Sequence, residues 1–327
     1  MMRDRERGLT RRGLFAGIFG GAAAAVGRRL SAAPSGRARL VRVESDRVWS
    51  GKARDPRVVE EMVTAGVLAL SGERSREDAW RRYFKPGMRV GLKINLLGRP
   101  LVYTAPEVTD AVTAGALLAG VSPGDVIVWD RWESHFRPTR YRLGRGRLGE
   151  TVEHSGRYDK GRALHASGGV APIDTIPLER TDVTVSLPLV KDHGTSGVTL
   201  ALKNIAFGCY DHHSRAHDDG CDPFIAEAYE HFVANVRVPL IVMDATEACF
   251  DGGPCPADRS RLWRENAIYL GTDPVAMDLV TRALISARRA EAGLADLVRR
   301  SHHIETAIRR GLGVGDPAHI EVTRLRV

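Results

Sequence analysis

One segment, residues 182–208, constrains the fold of this chain more than any other. Its first six residues, DVTVSL, are rich in β-branched side chains and predict a short buried strand. Pro188 follows, and since proline has no N–H to donate, it is expected to end that strand. Beyond a short loop, the sequence predicts a helix that opens at Gly197 with Thr195 or Ser196 as its N-cap. The helix is indicated by apolar residues at helical spacing: Val198, Leu202 and Ile205.

The loop between that strand and that helix favours an anion. Lys191 and His193 lie in it, at the carboxyl end of a strand, where open α/β sheets bind ligands. The following helix N-terminus adds free N–H groups and partial positive charge. The chain has six lysines against 42 arginines, so lysine at 191 and 203 suggests a task that arginine does not perform, such as titrating. A polar connection that binds nothing is the alternative interpretation.

Strand and helix patterns alternate through most of the chain. Strands are predicted over 40–43, 88–94, 125–129, 239–243, 266–270 and 319–327. Helices are predicted over 56–70, 75–84, 106–119, 222–236, 273–292 and 294–311. This alternation is typical of an α/β fold with a mainly parallel central sheet and helices on both faces. We therefore expect a single large domain over residues 38–327.

The segment 131–181 interrupts this alternation and is rich in arginine and glycine. It carries Trp132 and His135 close to its start. We interpret it as an insertion or lid over the site, and a solvated charged loop is the alternative.

Polar residues follow the predicted strands one after another: Lys93 and Asn95, Asp130, Lys191 and His193, Asp244 and Glu247, and Asp273. Because the carboxyl ends of parallel strands share one edge of the sheet, the sequence predicts one site there. Lysine and histidine exchange protons, so the candidate catalytic residues are Lys191, His193 and Lys203. The candidate ligand-binding residues are Lys93, Asn95, Thr199, Asn204, Asp244 and Asp273.

Residues 1–37 predict an export signal and linker. The pattern TRRGLF, residues 10–15, is a twin-arginine start, and the Gly/Ala-rich apolar run over 14–26 is too short to span a membrane. The expected location is periplasmic or otherwise extracytoplasmic, with no membrane span in the mature chain. A basic tail with a chance arginine pair is the alternative. Twin-arginine export moves folded proteins, many with a cofactor in place, which favours a bound metal or cofactor.

The charge distribution bears on the partner. The chain carries a net charge of +8, of which +5 falls within residues 1–33 and +3 in the rest. A mature surface so close to balance gives little reason to expect nucleic acid, so a small anionic ligand is the expected partner.

The four cysteines allow three interpretations. In an exported protein they predict disulfides, Cys209–Cys221 and Cys249–Cys255. In the second interpretation, cysteines and histidines bind a transition metal, because mixed Cys/His ligands suit zinc, iron or copper. Its ligands would come from a run of thirteen residues and be Cys209, His213, His217 and Cys221. Free thiols are the third, and an iron–sulfur cluster would need all four cysteines to converge.

Several of these segments resemble the domain of unknown function 362 family (DUF362). The central matches are PLVKDH at 188–193, GVTLALKN at 197–204 and Gly208-Cys209. Further matches follow the same order: Lys93-Ile-Asn95, TAPE at 104–107, His217, Asp244 with GGP at 252–254, and GTDPVAMD at 271–278. The resemblance covers roughly residues 38–327. It implies a fold and a site more than a reaction, since the activity of most members is not established.

Two classes of function remain open. The first is an enzyme that polarises a carboxylate- or phosphate-bearing substrate, with Lys191 or Lys203 binding it or exchanging protons and His193 as acid or base. A redox variant, with an iron–sulfur or metal cofactor and an electron-transfer protein as partner, is favoured by the export signal and by the ferredoxin-type modules joined to some family members. The second class is a non-catalytic metal or cofactor carrier. A structural envelope protein is least favoured, because converging Lys, His, Asn and Asp residues are poor choices for a scaffold.

Overall fold

The structure is a computed structural model that describes residues 36–167, 169–211 and 214–327. The first eight strands are β1 (Ala38–Glu44), β2 (Trp49–Ser50), β3 (Ala53–Arg54), β4 (Val90–Lys93), β5 (Val126–Asp130), β6 (Gly144–Arg145), β7 (Thr151–His154) and β8 (Tyr158–Ala166). The others are β9 (Gly169–Asp174), β10 (Val183–Ser186), β11 (Leu189–His193), β12 (Gly197–Thr199), β13 (Ile241–Cys249), β14 (Leu262–Trp263), β15 (Ala267–Gly271) and β16 (Ile320–Arg326). The helices are α1 (Pro56–Ser71), α2 (Arg76–Arg81), α3 (Pro106–Leu118), α4 (Ala201–Gly208), α5 (Phe224–Asn235), α6 (Pro274–Glu291) and α7 (His302–Arg309).

The central sheet has the order β16-β1-β15-β13-β10-β4-β5-β7-β6. Its inner neighbours β13, β10, β4, β5 and β7 are parallel, whereas β15 runs antiparallel to β1 and β13, and β6 runs antiparallel to β7. The prediction of one α/β domain with a mainly parallel sheet is confirmed. Within the segment 131–181, β6 and β7 extend this sheet, whereas β8 and β9 pair with each other.

Helices cover both faces of the sheet, as the sequence predicts. Helices α1, α2 and α3 bury one apolar side against the first face, through residues such as Met62, Trp80 and Val112. Helices α4 to α7 bury theirs against the other face, through residues such as Ile205 and Phe232. This burial of apolar surface on two sides provides the main stabilisation of the domain.

Helix α1 shows why the local predictions succeed. The carboxylate of Asp55 caps its N-terminus by accepting from the N–H groups of Arg57 and Val58. Pro56 occupies the first turn, where its missing N–H has no intrahelical partner to lose. Gly72 ends the helix in the left-handed conformation, at φ 75°.

The predicted loop at 191–193 and the predicted helix opening at Gly197 are wrong. After Pro188 the chain resumes as β11, which pairs with β12 in an antiparallel hairpin. Gly197 lies in this hairpin at φ 73°, and a Cβ there would lie 2.4 Å from Ser301 Oγ, so the position requires glycine.

Helix α4 opens at Ala201, and a residue distant in sequence caps it. The buried carboxylate of Asp278 accepts from the N–H groups of Ala201, at 2.7 Å, and Leu202, at 3.2 Å. The hydroxyls of Thr195 and Ser196 therefore do not serve as its N-cap. This cap from α6 takes the place of the locally predicted N-cap. No short-range sequence pattern shows that such a distant cap is present.

In the part of the chain that the structure describes, no helix is both long and apolar enough to cross a membrane. The export signal predicted within residues 1–37 falls almost wholly on residues 1–35, which lie outside the described residues.

Candidate functional site

A cavity lies at the carboxyl ends of β4 and β5, next to the β11–β12 hairpin and helix α4. Its empty space is about 570 Å³, part of it open to solvent. Seven predicted site residues line it: Lys93, Asn95, His193, Thr199, Lys203, Asn204 and the candidate metal ligand His217. The rings of Trp132, His135 and Phe207 also line it, together with Leu97, Asp130, Arg131 and Gly208. The sheet edge therefore brings together most of the side chains that the sequence predicts there.

A buried ion pair occupies one part of this cavity. Lys93 Nζ lies 2.7 Å from Asp130 Oδ1 and donates to the Ile94 carbonyl at 2.6 Å. Asp130 Oδ2 accepts from the Leu96 N–H at 2.8 Å. Burial alone raises the pKa of the Asp130 carboxyl, but Lys93 and His135 outweigh burial and hold that pKa well below its usual range. The charge of Lys93 is thus neutralised by a nearby carboxylate.

Gly208, at the end of α4, leaves room for the Lys93 side chain. A Cβ at this position would lie 2.4 Å from Lys93 Cε and 2.6 Å from Nζ. Because the ammonium is tied to Asp130, it has little freedom to move aside. Glycine is required here by this close approach of a neighbouring side chain.

Lys191 supports the cavity without lining it. Its Nζ donates to Asn95 Oδ1 at 3.2 Å and to the Leu97 carbonyl. Asn95 in turn donates to Asn204 Oδ1 at 3.2 Å, and Asn204 donates to the Lys93 carbonyl, also at 3.2 Å. Lys191 is 0% exposed, and burial lowers its pKa to about 8. Its predicted place in the pocket is corrected: it lies one hydrogen bond behind the lining, since β11 continues past it to His193.

Lys203 is the cavity lysine that lacks an acidic partner. It is 4% exposed, and its Nζ donates to Ser196 Oγ at 2.7 Å. Its other contacts are Cys221 Sγ at 3.6 Å and the Phe207 ring, 4.6 Å from Nζ to the centroid. Among the described residues no carboxylate lies within 4.0 Å of Nζ. Burial lowers the pKa of Lys203 to about 8, so the side chain is still mostly protonated at neutral pH.

His193 presents a fixed donor. Its Nδ1 accepts from the N–H groups of Thr195, at 3.1 Å, and Ser196, at 3.2 Å. A ring nitrogen that accepts two N–H groups carries no proton, so the proton resides on Nε2. Burial, and then the charges of Lys203 and Lys191, lower the pKa of His193 to about 2. The imidazole is neutral in the physiological range and offers Nε2–H.

Thr199 adds a hydroxyl with unused bonding capacity. It lies directly opposite Lys191 in the β11–β12 hairpin and is buried. Its Oγ1 has no hydrogen-bond partner among the described residues. Buried polar atoms are rarely left unpaired, so this hydroxyl is a candidate contact for a ligand in the cavity.

Two predicted ligand-binding residues lie elsewhere. Asp244 sits within β13, which runs beyond the predicted end of that strand, and its oxygens accept from the N–H groups of Ala105 and Thr246, each at 2.9 Å. Asp273 caps α6 by accepting from the Ala276 N–H at 2.9 Å. Both carboxylates are used by the backbone and neither lines the cavity, so both are removed from the candidate set.

The predicted disulfides are wrong: all four cysteines, each of which the structure describes, are free thiols. Cys249 instead donates to Asp192 Oδ1 at 3.3 Å and to the Asp251 carbonyl at 3.2 Å. Cys221 contacts Lys203, Cys209 is buried, and Cys255 is exposed.

The predicted metal ligands do not form a centre in the described part of the chain. His213 falls outside the described residues. Across residues 36–167, 169–211 and 214–327, no three His, Cys, Asp or Glu side chains are grouped so that they could hold a metal ion. His217 lines the cavity, where its ring packs edge-on against Phe207 at 4.8 Å.

Asp130 was predicted at this edge of the sheet because it follows a predicted strand. Other lining residues were not predicted to face the site. Trp132 and His135 open the irregular segment 131–181, where no local pattern shows which side chains face the site. In the sequence, Phe207 has the pattern of an ordinary apolar helix residue, so nothing indicates that it lines the site.

A search against protein-family models matches residues 90–283, more than half of the chain, to the domain of unknown function DUF362. The match starts at β4 and ends within α6, so it contains the lysines of the site, the hairpin and α4. No curated protein matches the chain.

Proposed function

The chain belongs to the DUF362 family, and from that premise we propose that its cavity binds a small carboxylate- or phosphate-bearing anion at Lys203 and exchanges a proton with it. One observation carries the proposal: a buried ammonium faces the cavity with no carboxylate of the described residues beside it. An unpaired buried charge is costly, so an anion that pairs with Lys203 would remove that cost.

Three donors define the place for the anion. Lys203 Nζ supplies the charge, and His193 Nε2–H and Thr199 Oγ1 supply neutral hydrogen bonds. Cys221 adds no negative charge at neutral pH, because burial raises the pKa of its thiol. Lys93 contributes less to binding, since Asp130 already neutralises it.

Lys203 is also the group best suited to exchange a proton. A pKa of about 8 lies close to neutral pH, where a group serves as both acid and base. His193, with a pKa of about 2, is suited to donating a hydrogen bond rather than to the acid–base role predicted from sequence. A titrating lysine beside the anion supports an enzyme over the alternative, a non-catalytic carrier, which would release its ligand unchanged.

The metal and iron–sulfur forms of the proposal have less support. They require a group of ligands, and in the ranges that the structure describes no such group of three is present. The redox role and the electron-transfer partner rest on the export pattern and the family resemblance, and they stay predictions.

The pH dependence of anion binding tests the proposal. Acetate, inorganic phosphate and benzoate are titrated into the protein by calorimetry at pH 6.5 and pH 9.5. Above pH 8 the free protein loses the Lys203 proton, so the apparent affinity for acetate or benzoate is expected to fall roughly tenfold or more between these pH values. No binding of any of the three anions at pH 6.5, or affinities equal at both pH values, would contradict the proposal.

We also propose that the protein is exported through a twin-arginine signal, which rests on the TRRGLF pattern and the apolar run over 14–26 that follows it. Changing Arg11 and Arg12 together to lysine is expected to retain the chain in the cytoplasm, as measured by cell fractionation. The control changes Arg28 and Arg29 to lysine, a second arginine pair with the same charge. Equal export of both variants would overturn this proposal.

A further inference from the structure

The part of the cavity lined by Trp132 and Phe207, here called the aromatic wall, differs in chemistry from the part around Lys203, here called the cationic end. Trp132 lines it and is 47% exposed, although the side chain is the largest apolar one in proteins. The guanidinium of Arg131 lies 4.5 Å from the Trp132 ring, and the His135 ring meets it edge-on at 4.9 Å. These contacts hold a flat aromatic surface in place at the cavity.

A second aromatic surface begins directly at the cation. Phe207 lies four residues after Lys203 on α4, so the two side chains share one face of the helix. The Phe207 ring centroid is 4.6 Å from Lys203 Nζ. An aromatic ring therefore lies next to the ammonium that would hold the anion.

We propose that the ligand is an aromatic carboxylate, with its carboxylate on Lys203 and its ring against Phe207 and Trp132. This inference rests on the proposed function and deepens it. Lys203, Phe207 and Trp132 all line this one cavity, so a ligand that carries both a carboxylate and a ring can contact the cation and aromatic surface together. Phosphate or acetate fills only the cationic end and leaves the aromatic wall in contact with water, so it forgoes the apolar and ring–ring contacts.

Three carboxylates of equal charge separate these contributions. Acetate has no ring, cyclohexanecarboxylate has a saturated ring, and benzoate has an aromatic ring of similar size. At pH 6.5 benzoate is expected to bind at least tenfold more tightly than acetate, and more tightly than cyclohexanecarboxylate. Trp132→Leu is expected to weaken benzoate several-fold and leave acetate unchanged, which also shows that the variant is folded.

Trp49→Leu is the matched control. Trp49 also stacks with arginine, since Arg54 and Arg264 lie 4.5 and 4.0 Å from its ring, but it does not line the cavity. This variant is expected to bind all three carboxylates like the wild type.

The outcomes distinguish the inference from the proposed function. If the three carboxylates bind equally and all lose affinity in Lys203→Met, the aromatic preference is wrong and the anion site stands. If cyclohexanecarboxylate equals benzoate, or Trp132→Leu leaves benzoate unchanged, the aromatic preference is likewise overturned. If none of the three carboxylates binds to the wild type but inorganic phosphate does, the inference fails and the anion site stands. If phosphate does not bind either, the proposed function fails as well.

Discussion

Lys203→Met is expected to weaken the binding of acetate and benzoate roughly 10- to 100-fold, because a charge-assisted hydrogen bond contributes about 1.5–3 kcal/mol. Methionine retains the bulk of the buried stem and removes only the charge. The free energy of unfolding should be unchanged or higher, since the variant no longer buries an ammonium without a carboxylate. Calorimetric titration measures the affinity, and urea unfolding measures the stability.

The chain provides its own controls for this experiment. Its other lysines divide into two that are buried at the site, Lys93 and Lys191, and three that are exposed. The exposed ones are Lys52, Lys85 and Lys160. Each exposed lysine changed to methionine removes the same charge from the surface and should leave binding within about twofold. Wild-type affinity in Lys203→Met would show that the anion does not bind where we propose.

Asp130→Asn is expected to lower the free energy of unfolding by about 3 kcal/mol or more, as breaking a buried pair does. The substitution preserves the shape of the side chain but leaves the Lys93 ammonium, 1% exposed, without its counter-charge. Unfolding in guanidinium chloride measures the loss. The double variant Lys93→Met/Asp130→Asn should recover most of it, because the unpaired charge is then gone.

An exposed pair gives the comparison for this change. Glu61→Gln breaks the Arg47–Glu61 ion pair, whose side chains are both about half exposed, and should cost less than about 1 kcal/mol. The Lys93–Asp130 pair should also make the free energy of unfolding depend on pH in the acid range. Since the folded-state pKa of Asp130 is depressed, its stabilisation is present above its usual pKa and is lost as the pH falls below it. An Asp130→Asn effect as small as that of Glu61→Gln would contradict the described pair.

Local patterns were enough to predict most of the fold. Proline and aspartate mark the start of α1 and α6, and both helices begin where the sequence predicts them. The alternation of strands and helices likewise predicts the layers and the mainly parallel sheet. The prediction fails at the β11–β12 hairpin, because Asp278 and Ser301, which fix α4 and Gly197, lie about 80 to 100 residues away.

The candidate site was predictable to the extent that strand ends define it. Lys93 ends β4 and Asn95 follows it, and Lys203 and Asn204 lie on α4 directly after the hairpin. Lys191 was misplaced because the predicted loop at 191–193 is part of a strand, β11, and Asp244 because β13 runs beyond its predicted end. Where a strand ends decides which of its side chains reach the cavity, and that end depends on pairing partners that are remote in sequence.

The central claim is that Lys203 is a buried ammonium that binds an anion. The titration of the Lys203 side chain tests this claim most directly. With only six lysines, protein labelled with ¹³C at the lysine Cε gives few enough NMR signals to follow each, and Lys203→Met identifies the one of interest. We expect the Lys203 signal to titrate near pH 8 in the free protein, well below its ordinary value of 10.5, and at a higher pH once benzoate or acetate is bound. A Lys203 signal that titrates near 10.5 and does not respond to either anion would contradict the claim.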